Sequence, residues 1–386
     1  MRVCWDVSPA VYGRAGLGRY VQELAAAILA RDARNEYVAF YNRSAEARVP
    51  VPLDALPQLM TRQGDKPWRL RAAVSHVLRL SQDRLFPSID LFHATDNLLP
   101  FLTAIPSVFT LHDLVFRFHP DTVSWANRLF LQMMTRRFLQ AADAIIAVSE
   151  CTKRDAQRLY GIADSKISVV HEGVHERFQP CRPDAVTAVR RRYGLPARYL
   201  LFVGTVERRK NLAVLLDALV ALKRRISDGA GGANVPKLVI VGKKGWLSGG
   251  FFRRLRELAL EPDVVLPGFV PDDDLPAVYS GAVCFVFPSL YEGFGLPVLE
   301  AMACGAPVIC SNASSLPEIC GDAALLFDPR SPAELTTIIE RILADAALRG
   351  DLVERGRRQA AKFTWQRAAE RTLDVYADVT GRRGVH

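Results

Sequence analysis

The chain contains no apolar run of the ~18 residues that a membrane span requires, and no Cys-x-x-Cys pair. Its seven cysteines, at positions 4, 151, 181, 284, 304, 310 and 320, are therefore read as buried small hydrophobes, not as a zinc site or a disulfide scaffold. No His/Cys/Asp/Glu cluster has metal-ligand spacing, so no metal is expected. The opening "MRVCWDVSP" enters directly into a strand-like run and lacks the layout of a signal peptide, which predicts a cytoplasmic protein. Helix-turn-helix, zinc-finger and aromatic ribonucleoprotein motifs are also missing. The formal net charge of +9 thus points away from nucleic acid, towards an anionic substrate or an anionic membrane surface.

What is present is a long alternation. Across 386 residues, 49% hydrophobic and 24% charged, short apolar β-branched runs alternate with segments of helical period. The runs are "RVCWDV", "EYVAFY", "IDLFHA", "SVFTLHD", "AIIAVS" and "ISVVHEG" in the first half; "YLLFVGT", "KLVIVG", "VVLPGFV", "VCFVFPS", "APVICS" and "ALLFD" follow in the second. A polar, proline-marked stretch near 176–198 reads as a linker with one short helix, and "SDGAGGANVP" (227–236) as a surface loop. The expected architecture is α/β: two Rossmann-like doubly wound domains, 1–180 and 181–362, whose sheets present their carboxyl ends to a central cleft where ligands bind.

One stretch carries the most chemistry. In "SLYEGFGLPVLEAMACGAPVI" (289–309) a buried strand is followed by a glycine loop, and Pro297 suits the first turn of a helix that Gly305 ends. Gly293 and Gly295 remove side chains, so that backbone N–H groups and the positive end of the helix dipole can face a phosphate. Glu300, one turn into the helix, can accept hydrogen bonds from hydroxyls on the phosphate-bearing group, and Glu292 lies on the other side of the loop. The same spacing also fits a plain strand-to-helix connection with both carboxylates on the surface.

A second loop, "LFVGTVERRKNL", places Arg209 and Lys210 at what reads as a helix start, where the dipole repels cations. An anion, such as a diphosphate, is expected to offset them. In the first half, "GRAGLGRYVQEL" sets Gly13, Gly16 and Gly18 between the first strand and a helix, but not as Gly-x-Gly-x-x-Gly, which disfavours a nicotinamide cofactor. His112 and Asp113 end the strand "SVFTLHD"; a sugar-binding corner and a histidine capping a buried turn both fit. His93 and His171 hold similar strand ends and are read as structural or as cleft lining.

Taken together, these residues resemble the retaining glycosyltransferases of the GT-B fold, family 4 (group 1), over nearly the whole chain. "EGFGLPVLE" is similar to that family's glutamate–glycine signature, "VGTVERRKN" to its phosphate-binding arginine–lysine loop, and "TLHDLVF" and "AVSECTKRD" to its first-domain landmarks. The resemblance implies transfer of a hexose, with mannose favoured, from a nucleotide diphosphate sugar to a glycan or lipid-linked acceptor bound in the first domain. Anomeric configuration would be kept, with no metal or other cofactor. It implies that His112, Arg209, Lys210 and Glu292 act at the reacting centre. Donor contacts are implied from Gly16, Gly18, Gly204, Thr205, Arg209, Lys210, Gly268, Phe269, Glu292, Gly293, Phe294, Gly295, Leu296 and Glu300. Residues 363–386, including the amphipathic "FTWQRAAERTLDVYADV", would form a helix crossing back to the first domain. Many members carry arginine directly after the loop glycine; here Thr205 follows Gly204, so the burden shifts to Arg209, and that variant resembles mannosyl- and related transferases acting on GDP-linked donors, which implies a GDP-linked donor ahead of a UDP-linked one. A nucleotide-sugar isomerase or epimerase on the same fold, and a nucleotide-binding protein without chemistry, are the competing readings.

Residues 61–86, "TRQGDKPWRLRAAVSHVLRLSQDRLF", carry six basic residues against two acidic ones, interleaved with Trp68, Leu70, Val74, Val77, Leu78 and Leu85. Within it, 66–86 reads as a basic amphipathic helix able to lie on an anionic membrane at the inner face, or equally as a core-packed helix with a solvated basic face.

Overall fold

The computed structural model describes residues 1–42, 48–228, 235–245 and 249–383. The loop expected at 227–236 therefore lies mostly outside the described residues.

The chain divides into two compact units. The first comprises Met1–Arg117, Val123–Gly173 and Thr364–His386; the second comprises Phe118–Thr122 and Val174–Phe363. The first holds a seven-stranded sheet in the order β3-β2-β1-β4-β5-β6-β7. Its strands are β1 (Arg2–Asp6), β2 (Glu36–Asn42), β3 (Gln58–Thr61), β4 (Leu91–Ala94), β5 (Ser107–Leu111), β6 (Ala144–Ala147) and β7 (Ile167–Val169). The second holds six strands in the order β10-β9-β8-β11-β12-β13. These are β8 (Tyr199–Val203), β9 (Lys237–Val241), β10 (Val264–Gly268), β11 (Cys284–Phe287), β12 (Val308–Ser311) and β13 (Ala324–Phe327).

Every strand pairing is parallel. That explains the sequence pattern: helices cover both faces, so β4, β5, β6, β8, β11 and β12 are buried at every residue and read as continuous apolar runs. The expected runs fall on every strand except β3. "QLMT" is short, polar at its first residue and half-exposed at a sheet edge, so it gives no apolar signal. The stretch expected as a linker belongs to the second unit, where the helix Pro183–Arg192 lies against Leu275–Ser280.

The last helix, Trp365–Arg383, packs in the first unit against the helix Ala15–Leu29 and against β5 and β6. Tyr376 anchors it: its hydroxyl accepts from Trp5 Nε1 at 2.9 Å and meets His93 Nδ1 at 2.6 Å, while His93 Nε2 meets Thr110 Oγ1 at 2.8 Å. His93 is thus a core histidine, and burial drives its pKa down to about 3. The chain enters this helix so close to Gly173 that a Cβ there would lie 2.1 Å from the Trp365 nitrogen.

All seven cysteines are free thiols, five of them buried, with Cys310 and Cys320 sulfurs 3.3 Å apart. Among the described residues no helix is long and apolar enough to cross a membrane.

Candidate functional site

In the second unit β8 ends at Val203, and the chain passes through Gly204, Thr205 and Glu207 into a single 3-10 turn, Arg208–Lys210. Asn211 closes that turn in the left-handed region (φ 54°), with its amide donating to the Pro329 carbonyl at 2.7 Å; the helix proper starts only at Leu212. At the end of β11 the loop Ser289–Gly295 leads into the helix Leu296–Ala303. Leu290 N–H donates to the Arg209 carbonyl at 2.9 Å, so the two loops are tied backbone to backbone.

The side chains then converge. Lys210 Nζ donates to Glu292 Oε1 at 2.6 Å, and Arg209 Nη1 to Glu292 Oε2 at 2.6 Å and to the Tyr291 carbonyl at 2.8 Å. Arg209 Nη2 reaches Glu207 Oε1 at 2.8 Å. The anion expected opposite the two cations is, in the structure, supplied by the chain itself. Lys210 and Glu292 are 7% and 8% exposed, so the pair lies in low dielectric, where attraction is strong and desolvation is costly. Burial alone would raise the Glu292 carboxyl, but the Arg209 and Lys210 charges outweigh it and hold the pKa at about 2. Lys210 is itself lowered, by burial and by the neighbouring Arg209 charge, against the pull of Glu292. Its ammonium also stands 4.9 Å from the centre of the Phe287 ring.

Three serines outside the signature hold the loop in shape. Ser314 Oγ accepts from Glu292 N–H at 2.8 Å, Ser315 Oγ donates to the carbonyls of Glu292 and Phe294 at 3.0 and 2.7 Å, and Ser311 Oγ donates to the Ser289 carbonyl at 2.5 Å. Gly295 sits at φ 120°, a backbone conformation that demands glycine, and its α-carbon lies close to the end of the Leu316 side chain. Glu300 is 3% exposed and accepts from Tyr279 Oη at 2.8 Å. Neither carboxylate of the signature is a surface group. The remaining expected residues differ in kind: Phe294 is buried against Phe363, whereas Phe269, after Gly268, is exposed with Lys243 Nζ 5.2 Å from its ring centre. Sequence reasoning missed Glu207, Tyr279 and the three serines. For the serines the one available signal was the run "SNASS" (311–315), which opens on the last residue of a strand.

In the first unit His112 follows β5 and is buried. Its Nε2 lies 2.9 Å from the Thr95 carbonyl, its Nδ1 3.7 Å from Glu172 Oε1, and its ring edge-on to Tyr20. Burial opposes the charged imidazole, yet the buried Glu172 carboxylate and the Thr95 carbonyl raise its pKa above the ordinary value. Glu172, beside the His171 singled out in the sequence, had no signal of its own. Asp113 accepts from Val115 N–H at 3.0 Å, a turn cap. Gly16 and Gly18 lie in the first turn of the helix Ala15–Leu29, not in the loop before it, where Gly13 makes the left-handed turn (φ 61°). The structure thus gathers Glu207, Arg209, Lys210 and Glu292 into one cluster in the second unit, and His112 with Glu172 into another in the first.

Residues 14–178 match the family described as Glycosyltransferase Family 4, and residues 189–359 the family described as Glycosyl transferases group 1. The chain is 29% identical to the O-antigen chain mannosyltransferase B of Escherichia coli, over 97% of this chain and 99% of that one. In fold it resembles sucrose-phosphate synthase of Thermosynechococcus elongatus (TM-score 0.75, 22% identity, 99% and 100% of the two chains). It also resembles the Anabaena protein HepE in complex with UDP-glucose (TM-score 0.75, 18% identity, 98% and 100%). With two parallel Rossmann-like units, a C-terminal helix returned to the first, and both family matches in chain order, the chain belongs to the GT-B glycosyltransferases of family 4.

Proposed function

We propose that the protein transfers a hexose, mannose by preference, from a GDP-linked donor to a glycan or lipid-linked acceptor, with retention of anomeric configuration and without a metal ion. The observation that carries this reading is the buried Arg209–Glu292–Lys210 cluster at the carboxyl ends of β8 and β11, the ends of a parallel sheet at which ligands bind. An ammonium has three N–H donors, so the bond to Glu292 does not exhaust Lys210, and the pair can meet a diphosphate as charge develops on it. The acceptor hydroxyl oxygen bonds to the anomeric carbon on the face from which the diphosphate departs. The carbon–oxygen bond to the phosphate breaks, its electron pair stays on the leaving oxygen, and the hydroxyl proton passes to that oxygen. Glu300, held by Tyr279, orients the donor's ribose hydroxyls, and His112 holds the sugar. The preference for mannose rests on the likeness to the O-antigen chain mannosyltransferase.

The finer reading includes attachment to an anionic membrane surface. In the helix Asp65–Leu78 Trp68 turns into the core, while Leu70, Val74, Val77 and Leu78 face solvent. The adjacent helix Trp125–Ala141 adds exposed Trp125, Leu129 and Met133, spaced four apart on one face. Lys66, Arg79, Arg84, Arg128, Arg136 and Arg137 are also exposed in these two segments, which combines an apolar face with cations able to meet lipid phosphates.

The test is a donor panel of GDP-mannose, GDP-fucose, UDP-glucose and UDP-galactose, each with a mannosylated acceptor and excess chelator, with the product linkage read by NMR. Turnover with GDP-mannose and an α-linked product is expected. Inverted linkage, loss of activity in chelator, or donor conversion without acceptor would each remove part of the reading.

A further inference from the structure

His112 has an acceptor at each of its ring nitrogens. Nε2 lies 2.9 Å from the Thr95 carbonyl, which can only accept, so that nitrogen carries a hydrogen. Nδ1 lies 3.7 Å from Glu172 Oε1, and a carboxylate also only accepts. A neutral imidazole has a single N–H. In that form the Nδ1 lone pair would face a carboxylate with both groups buried, an opposition that low dielectric makes costly. The arrangement therefore calls for one further proton, held by His112 and Glu172 together.

The surroundings put that proton on the ring. Burial works against the charged imidazole, but Glu172, the Thr95 carbonyl and the Asp96 charge outweigh it and raise the His112 pKa. The other titratable groups of this core stay neutral: Tyr20, edge-on with ring centres 4.7 Å apart, has its phenol pushed up by burial, and His93 is driven down to about 3. Thr152 Oγ1 donates to the His112 carbonyl at 3.4 Å and carries no charge. Glu172 is fixed from the other side, because Gly173 follows it where the backbone passes against the Trp365 nitrogen. Among the described residues no hydrogen bond commits the Glu172 carboxylate elsewhere, and His112 is its one ionic partner.

At 3.7 Å the Nδ1–H is too far from Glu172 for a hydrogen bond, so it is left to a substrate oxygen. A charged donor bonds about twice as strongly as a neutral one. Glu172 at the same time offsets the ring charge, which would otherwise repel an anomeric carbon made electron-poor as the diphosphate departs.

We propose that Glu172 is a positioning residue for the transfer reaction: it keeps His112 doubly protonated, so that the ring presents an N–H, and not a lone pair, to the sugar oxygen it holds. This role rests on the transferase reading above and adds to it the charge state in which His112 acts.

The test combines 15N NMR of the ring nitrogens with pH–rate profiles, both on the full chain. The sequence has seven histidines, and His112 is identified by its absence from the spectrum of His112→Gln. In the wild type both His112 nitrogens should remain protonated well above the ordinary imidazole midpoint of about 6.5, and in Glu172→Gln Nδ1 should lose its proton at lower pH. The alkaline limb of kcat/KM for the donor should move the same way. At about pH 8 Glu172→Gln should be about ten-fold slower, the scale of one charge-assisted hydrogen bond, and should regain activity on acidification, which a packing defect would not allow. Glu172→Asp, which keeps the charge, should hold the limb nearer its wild-type position. In the His112→Gln background Glu172→Gln should cost little more, since it acts through the ring. The proposal is overturned if wild-type His112 titrates at or below the ordinary value, a measurement that needs no variant, or if Glu172→Gln leaves the limb in place or adds its full cost to His112→Gln. If the nitrogens behave as expected but no donor is turned over, Glu172 still sets the ring's charge and the transferase reading is the one that fails.

Discussion

Lys210 Nζ and Glu292 Oε1 are 2.6 Å apart across 82 residues of sequence, both side chains are buried, and Arg209 holds the other oxygen of the same carboxylate at the same distance. Two cations share this one buried carboxylate, and Glu207 meets the second side of the Arg209 guanidinium.

The carboxylate should therefore matter for stability when no ligand is bound. Removing one partner of a buried pair strands the other, at about 3–5 kcal/mol. Glu292→Gln should melt lower than the wild type, and GDP should restore more of the loss than it adds to the wild type, because a diphosphate resupplies the missing anion. The folded pKa of Glu292 is depressed, so its contribution is complete above about pH 4.5 and is lost as pH falls towards about 2. Denaturant titrations of both proteins across that window check this. A difference between them that grows on acidification would contradict it.

Glu300 and Tyr279 form a separable pair. Glu300→Ala should weaken nucleotide diphosphate binding by about 1.5–3 kcal/mol, as expected for hydrogen bonds to a charged group. Tyr279→Phe removes the 2.8 Å bond that orients the carboxylate, and should weaken binding by about 1 kcal/mol. Calorimetry with GDP decides it, and equal affinity in folded Glu300→Ala protein would take Glu300 out of the donor site.

The chemical step should fall on the two cations. Negative charge builds on the leaving oxygen, so Lys210→Ala should lower kcat by ~10²–10³ with a smaller change in donor KM. Arg209→Lys should also be damaging, because a point charge cannot replace a planar fork that reaches Glu292, Glu207 and the Tyr291 carbonyl together. An effect of Lys210→Ala confined to KM would mean uniform binding instead.

For the membrane surface, Arg69 and Arg71 are poor probes, since they bind Asn127 and Gln82 within the unit. Arg79, Arg84 and Arg128 are exposed, and replacing all three with glutamine should weaken binding to phosphatidylglycerol vesicles by ~1 kcal/mol each. Trp125→Ser should weaken it further without loss of fold, because that side chain is 78% exposed. Sedimentation with vesicles measures both, and a wild type that stays in the supernatant at low salt would refute the attachment.

Much of this protein was legible in one dimension because the signals are local. A strand buried on both faces must be apolar at every position, so β4, β5, β8 and β11 announce themselves, and Gly295 marks a backbone that no side chain tolerates. The signature loop and the arginine–lysine loop are each contiguous, and each could be placed at a strand end.

Only the tertiary structure decided which charges meet. Parallel strands place loops far apart in sequence side by side, so Glu292 joins Arg209 and Lys210 and Glu172 joins His112, while the packing of two helices brings Tyr279 to Glu300; no spacing rule encodes such pairs. The same holds for the basic helix, where periodicity gave an apolar face but not its direction: packing turned Trp68 inward and left Leu70 and Val77 in water. Composition and pattern determined the elements and their order. The sheet order, which sets the strand ends that lie side by side, determined which side chains meet.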